Sequence, residues 1–128
     1  MNFTGTILLV DDEPHIRKYV GLILRQLGAP KILEAANGEE AIATYERERP
    51  DLVLLDINMP IMDGMETLKR LKALDPNCVV VMLTSIANRL NVEAALALGA
   101  VNYIRKDTPK DEITKALTEA IESSFEKQ

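Results

Sequence analysis

The chain has little of several features that define other protein classes. It has a single cysteine, Cys78, which excludes an internal disulfide and is typical of a reducing compartment. No apolar run approaches the ~20 residues that span a bilayer. The first five residues lack the basic start and apolar stretch of a signal peptide. We therefore expect a cytoplasmic protein in which Cys78 packs as a small apolar residue.

Positive charge is also scarce. Fifteen Lys and Arg residues stand against 20 Asp and Glu residues, which gives a net charge of −5, and the basic residues form no cluster. Because contacts to phosphates need clustered Lys and Arg, this domain is not expected to bind nucleic acid by itself. The length of 128 residues and the absence of repeats or linker-like stretches predict one domain over residues 1–128.

Short apolar runs alternate five times with longer helical patterns, which is typical of βα units around a parallel sheet. Right-handed crossovers then give an α/β fold, a three-layer α/β/α sandwich. The five predicted strands are Thr6–Val10, Lys31–Glu34, Leu52–Asp56, Cys78–Leu83 and Val101–Arg105. The predicted helices cover about 14–27, 38–48, 64–74, 89–98 and 109–125. Asn37 and Asp63 each have a glutamate three residues later, the spacing of a helix cap.

Charged side chains follow three of these strands. Asp11 and Asp12 follow the first strand, Asp56 ends the third and Lys106 follows the fifth. Capping and the helix dipole are an ordinary explanation for acids at a helix start. However, the carboxyl ends of parallel strands share one edge of a sheet, where ligands bind. Clustered carboxylates repel unless a cation neutralises them, so this edge predicts a Mg2+ site beside a nucleophilic carboxylate.

The hydroxyl groups of Thr84 and Ser85 follow the fourth strand on the same edge. Such residues often cap helices, but a hydroxyl here could also bind a phosphoryl oxygen. With these residues in place, the chain resembles the receiver domains of bacterial two-component signalling over its whole length. The matching segments are Val10-Asp11-Asp12-Glu13, Asp56-Ile57-Asn58-Met59-Pro60-Ile61-Met62-Asp63-Gly64, Thr84-Ser85, the segment at residues 95–100, and Tyr103-Ile104-Arg105-Lys106.

The resemblance implies a flavodoxin-like sheet of order 2-1-3-4-5 and a phosphorylation-activated switch. Asp56 would accept a phosphoryl group from a histidine kinase or phosphotransfer protein. Asp12, Asp56 and the backbone carbonyl of Asn58 would bind Mg2+ directly, and Asp11 would act through a water on the metal. Lys106 and Thr84 would contact the phosphoryl group.

The same resemblance implies how the signal leaves the site. Thr84 would move towards the phosphoryl group and Tyr103 would turn inward. A half-buried strand aromatic is the ordinary explanation for Tyr103. The face formed by the fourth helix, the fifth strand and the last helix would then change. That face would control a protein partner or an attached output domain, and it is a candidate surface for a homodimer on phosphorylation.

Three further features of the sequence modify what the receiver resemblance implies. Asp107 follows Lys106 where many receivers have a cis proline, so a trans bond is expected. Asn58 and Ile86 would flank the route of an attacking water, and the apolar Ile86 predicts slow autodephosphorylation. His15 has no Cys or His partner, so it is interpreted as a surface helix residue rather than a metal ligand.

Other functions stay open at this point. No enzyme activity is expected beyond phosphotransfer and autodephosphorylation. An aspartate-nucleophile phosphatase would usually carry Asp-x-Asp after the first strand, whereas this chain has Asp11-Asp12-Glu13. An FMN protein of similar strand order would need a phosphate-binding loop where the acids stand. A receiver-like module that binds partners without phosphorylation is the third alternative. The chain could be a stand-alone regulator or part of a longer one.

Overall fold

The computed structural model describes residues 5–28, 31–85 and 89–125. Five parallel strands form one sheet in the order β2-β1-β3-β4-β5, as the resemblance implied. The strands are β1 (Thr6–Val10), β2 (Lys31–Ala35), β3 (Leu52–Leu55), β4 (Val80–Thr84) and β5 (Asn102–Arg105). The helices are α1 (Pro14–Gln26), α2 (Gly38–Glu48), α3 (Gly64–Leu74), α4 (Arg89–Ala97) and α5 (Lys110–Phe125).

The sheet lies between two helical layers, because its strands are apolar on both faces. Along β1, Ile7 and Leu9 pack with α1 and α5, whereas Leu8 and Val10 pack with α2, α3 and α4. Alternate side chains of a strand point to opposite faces, so a continuous apolar run serves two cores. The predicted three-layer sandwich is therefore confirmed.

Two predicted helix caps are present at the edge of the sheet where the strands end. Asn37 Oδ1 accepts a hydrogen bond from the Glu40 amide, and Asp63 Oδ1 accepts one from the Glu66 amide, both at 2.9 Å. These bonds satisfy amides that a helix start leaves without partners. They fix the points at which the chain leaves the sheet edge, and so the loops around the candidate site.

The boundaries of some elements differ from the predictions by one or two residues. β4 begins at Val80 rather than Cys78, and Cys78 is buried as expected. α5 begins at Lys110, since the carbonyl of Pro109 accepts the first helical hydrogen bonds. The bond between Lys106 and Asp107 is trans, as predicted. Among the described residues, no helix combines the length and apolarity that a membrane span needs.

Candidate functional site

Three carboxylates converge at one edge of the sheet because β1 and β3 are neighbours in register. Val10 pairs with Leu55, and the amide of Asp56 donates to the carbonyl of Val10 at 3.0 Å. The residues that follow the two strands are therefore side by side. Asp11, Asp12 and Asp56 each present an oxygen within 4.8 Å of the others. Asp11 and Asp56 are each 1% exposed, whereas Asp12 is exposed.

Lys106 follows the outermost strand β5 and brings one positive charge to this cluster at the same edge of the sheet. β4 and β5 pair through Thr84 and Arg105, and the amide of Lys106 donates to the carbonyl of Thr84 at 2.8 Å. The side chain, 8% exposed, extends over the strand ends, with Nζ 2.5 Å from Asp11 Oδ2 and 3.2 Å from Asp56 Oδ2. The amine therefore bridges the two buried carboxylates.

Burial is the largest single influence on the pKa of both Asp56 and Lys106, but the charges around them decide the outcome for Lys106. Burial, followed by the charge of Asp11, raises the pKa of Asp56 to about 6, although Lys106 opposes the rise. Burial alone would lower the pKa of Lys106, but its attraction to Asp11 and Asp56 outweighs that effect and raises it. The amine stays charged at neutral pH, while Asp56 is mostly ionised there and is easily protonated below it.

The carboxylates fit a divalent cation. Among the described residues, Asp56 Oδ1 is buried without a hydrogen-bond partner, and Asp11 Oδ2 has only its ion pair with Lys106. A buried carboxylate oxygen without a partner is costly, so its position needs an explanation. Three carboxylates face one amine, which leaves excess negative charge. Mg2+ prefers such oxygen ligands and keeps several waters, so one exposed and two buried acids suit it.

Thr84 and Tyr103 lie beside this cluster and contact each other. Thr84 is buried at the end of β4, and Tyr103 is half-buried on β5, opposite Met82. Burial raises the pKa of Tyr103, and a side-chain hydrogen bond with Thr84 partly offsets that rise. The two predicted switch residues are therefore joined directly, and a movement of Thr84 would break or alter the bond to Tyr103.

The comparisons with known proteins agree with this geometry. A family model described as the response regulator receiver domain matches residues 7–118. The chain belongs to the receiver family. It is 36% identical over 114 residues to the chemotaxis protein CheY of Listeria monocytogenes, which covers 89% of this chain and 96% of that one. It is 39% identical over 111 residues to sporulation initiation phosphotransferase F of Bacillus subtilis, which covers 87% of this chain and 89% of that one.

A solved structure supports the same assignment. This receiver superposes with a TM-score of 0.85 on a chain of the CheX–CheY–BeF3–Mg2+ complex from Borrelia burgdorferi. The two are 31% identical, and the match covers 94% of this chain and 88% of that one. The chain is thus a receiver domain of two-component signalling, a family of signalling switches.

The roles predicted for Asn58 and Ile86 in this receiver stay predictions. Asn58 is exposed, two residues after Asp56, and a metal-binding role for its carbonyl stays a prediction. Ile86 lies outside the described residues, so the slow autodephosphorylation that it predicts also stays a prediction. His15 is exposed, which agrees with its interpretation as a surface helix residue.

Two residues of the site were missed by reasoning from the sequence. Glu13 Oε1 lies 3.4 Å from the Lys106 amine. Glu13 is thus a third acid beside this amine, and it is more exposed than Asp11 and Asp56. Arg17 donates to the backbone carbonyl of Asp11 at 2.6 Å. The position of Arg17 near the start of a helix, where a positive charge opposes the helix dipole, indicates a compensating contact but does not identify the acceptor.

Proposed function

We propose that the chain is a single receiver domain over residues 1–128 that switches when Asp56 is phosphorylated. The phosphodonor would be the phosphohistidine of a histidine kinase or phosphotransfer protein, and Mg2+ would be the cofactor. The output would be a downstream protein partner or an attached output domain. The observation that carries this proposal is the buried Asp56 carboxylate, which lies between two further acids and the Lys106 amine and has one oxygen to which no described residue donates a hydrogen bond.

Asp56 is the nucleophile in this proposal. One of its carboxylate oxygens forms the bond to phosphorus while the bond from phosphorus to the histidine nitrogen breaks. The nitrogen leaves with the bonding electrons, and an acyl phosphate is formed. A pKa of about 6 leaves most of Asp56 ionised at pH 7. The main task of the site is to hold the carboxylate in line with the bond from phosphorus to nitrogen that breaks, because phosphoryl transfer depends mostly on positioning and charge stabilisation.

The metal would be held by Asp12, Asp56 and the backbone carbonyl of Asn58, with Asp11 acting through water. The bound Mg2+ would supply charge neutralisation for the phosphoryl oxygens. The unpartnered Oδ1 of Asp56 supports this assignment. Asp11 is held in place by the Glu13 amide, which donates to its Oδ1 at 2.9 Å.

Lys106 and Thr84 would hold the phosphoryl group once it is attached. The Lys106 amine is 3.2 Å from Asp56 Oδ2, so it could pair with a phosphoryl oxygen after a small movement. Added phosphate brings nearly two negative charges and three strong acceptors. The Thr84 hydroxyl would then turn towards the phosphate and leave Tyr103.

We call the exposed surface of α4, β5 and α5 the output face. Leu90, Leu96 and Val101 are large apolar residues exposed on or beside its first two elements. Tyr103 lies on β5 and is joined to Thr84, which supports a path from the phosphorylation site to this face. Phosphate would bias an equilibrium between two arrangements of this face.

The test of the chemistry is intact mass after incubation with acetyl phosphate and MgCl2. We expect wild type to gain one phosphoryl group, and Asp56→Asn to gain none. Asp111→Asn removes an exposed acid from α5 and is the matched control, which should react like wild type. EDTA should stop the gain if Mg2+ is required. No gain in wild type would reject the proposal in favour of a receiver-like module that acts without phosphorylation.

The test of the output is a set of amide NMR spectra before and after phosphorylation. Shift changes should extend from the Asp56 loop to α4, β5 and α5. Thr84→Ala should keep the changes near Asp56 and lose most of those at Tyr103. Changes confined to the active-site loops of wild type would contradict the proposed output face.

A further inference from the structure

Arg17 joins three elements beside the acid cluster without touching any of its carboxylates. Its Nη1 donates to the backbone carbonyl of Asp11 at 2.6 Å, and its Nε donates to Glu34 Oε1 at 2.8 Å. The side chain is 17% exposed. A guanidinium has donors in a fixed planar fork, so one side chain can hold two acceptors in a defined geometry. Arg17 therefore links α1 to β2 and to the turn after β1.

The carbonyl that Arg17 holds belongs to the peptide bond between Asp11 and Asp12. On the other side of Asp11, its amide donates to the carbonyl of Ala35 at 3.1 Å. The Asp11 side chain is fixed by the Glu13 amide and by Lys106. Asp12 is exposed, and its orientation depends on the peptide plane that precedes it. Arg17 thus fixes the backbone from which Asp12 presents its carboxylate.

The helix dipole does not favour an arginine at this position. Arg17 is the fourth residue of α1, and the first turn of that helix contains no acid. A cation near a helix N-terminus opposes the dipole, and a cation near a metal site repels the metal. Glu34, the penultimate residue of β2, accepts a hydrogen bond from the guanidinium and offsets part of this charge. The contacts with Asp11 and Glu34 are what compensate for the unfavourable placement.

We propose that Arg17 is a positioning residue for the Mg2+ site, which acts by fixing the peptide bond between Asp11 and Asp12. It is not itself a ligand. Glu34 holds the guanidinium and reduces its repulsion of the cation. This inference rests on the proposed function, because it assumes that Asp12 and Asp56 bind Mg2+. Partners that orient metal ligands typically contribute 10–100-fold to metal affinity.

The decisive experiment is a titration of the metal-free protein with MgCl2, in which binding is monitored by calorimetry and by amide NMR shifts. Arg17→Gln should weaken Mg2+ binding roughly tenfold. If Arg17 acted only through its charge, its removal would strengthen the binding of a cation. The two roles thus predict changes of opposite sign. Lys18→Gln removes one positive charge from the adjacent exposed position of α1, and it should leave the affinity unchanged or slightly stronger.

Arg17→Lys separates charge from geometry and covers the case in which Arg17→Gln folds poorly. A lysine keeps the charge, but its single ammonium cannot reproduce the fork between Asp11 and Glu34. Affinity between those of wild type and Arg17→Gln would support positioning. Affinity equal to that of wild type in Arg17→Lys, or unchanged or tighter binding in Arg17→Gln, would overturn it.

The same titration distinguishes this inference from the proposed function. Wild type is measured first, and its failure to bind Mg2+ would remove the proposed cofactor and the role of Arg17 together. Normal binding by wild type and by both Arg17 variants would overturn the role of Arg17 alone. The thermal midpoint of each metal-free variant is measured in parallel. The Mg2+ affinities are compared at a temperature well below the lowest thermal midpoint, so that partial unfolding of a variant is not mistaken for a loss of positioning.

Discussion

The ammonium of Lys106 lies 3.2 Å from Oδ2 of Asp56, so the carboxylate that would accept phosphate is already paired with a buried cation. The same ammonium is 2.5 Å from Oδ2 of Asp11. Lys106 therefore partly neutralises the cluster, and its charge is one of the factors that oppose the rise in the pKa of Asp56. Several consequences of this arrangement can be measured.

Replacing Lys106 by Gln should raise the pKa of Asp56 above about 6, since an attraction that favours the ionised carboxylate is lost. The metal-free protein should also lose ~2–4 kcal/mol of unfolding free energy at pH 8, because two buried acids lose their partner. Carboxyl carbon NMR and urea unfolding measure the two effects. Lys110→Gln, an exposed change on α5, should alter neither. An unchanged pKa of Asp56 would contradict the pairing.

Asp56→Asn should stabilise the metal-free protein in a pH-dependent way. The pKa of Asp56 rises from 3.8 to about 6 in the folded protein. Between these values the folded state binds more protons than the unfolded chain, so the unfolding free energy of wild type falls as pH rises from about 4 to about 6. Asparagine does not titrate. Its advantage should be small at pH 4 and reach ~2–3 kcal/mol above pH 7.

Urea unfolding in EDTA at a series of pH values measures this difference. Asp12→Ala should also raise the melting temperature of the metal-free protein, but by less, because Asp12 is exposed and its charge is better screened. A difference between wild type and Asp56→Asn that does not vary with pH would contradict the shifted pKa. A fall in stability in both variants would count against mutual repulsion in the cluster.

The meeting of charged residues at the ends of the strands could be predicted from the sequence, because two simple rules determine it. Apolar runs such as Leu52–Leu55 mark buried strands, and parallel strands place the residues that follow them at one edge. Asp11, Asp56 and Lys106 are therefore found together at that edge. The contacts of Arg17 and Glu13 could not be predicted in the same way. They depend on side-chain directions across elements, which no periodicity records.

We expect glycine to be required at position 64, because this residue packs against the backbone of Asp56, the proposed phosphoacceptor. A Cβ on Gly64 would lie 2.0 Å from the carbonyl oxygen of Asp56, and backbone cannot move aside as a side chain can. Gly64→Ala should therefore cost ~1–3 kcal/mol of unfolding free energy. It should also displace Asp56 and slow its phosphorylation by acetyl phosphate roughly tenfold or more.

Gly21 is the matched control, because a Cβ there would meet nothing within 4 Å. Gly21→Ala lies inside α1 and should stabilise the protein by about 0.5–1 kcal/mol through helix propensity, with no change in the phosphorylation rate. In chemical unfolding, Gly64→Ala is expected to lower the unfolding free energy and Gly21→Ala to raise it. Equal effects would mean that the close approach at Gly64 is not what the position requires.

Ile61 should be a site of backbone strain in the loop between β3 and α3. Its φ is +73°, in the left-handed region that β-branched residues avoid, and its side chain is 77% exposed. Little burial therefore compensates for the cost of this conformation, which is ~1–2 kcal/mol. Ile61→Asn should raise the unfolding free energy by about 1 kcal/mol, since Asn tolerates this region. Ile61→Val keeps the β-branch and should gain nothing. If thermal unfolding showed that Val stabilised the protein as much as Asn, or that Asn destabilised it, the loop would not hold Ile61 under strain.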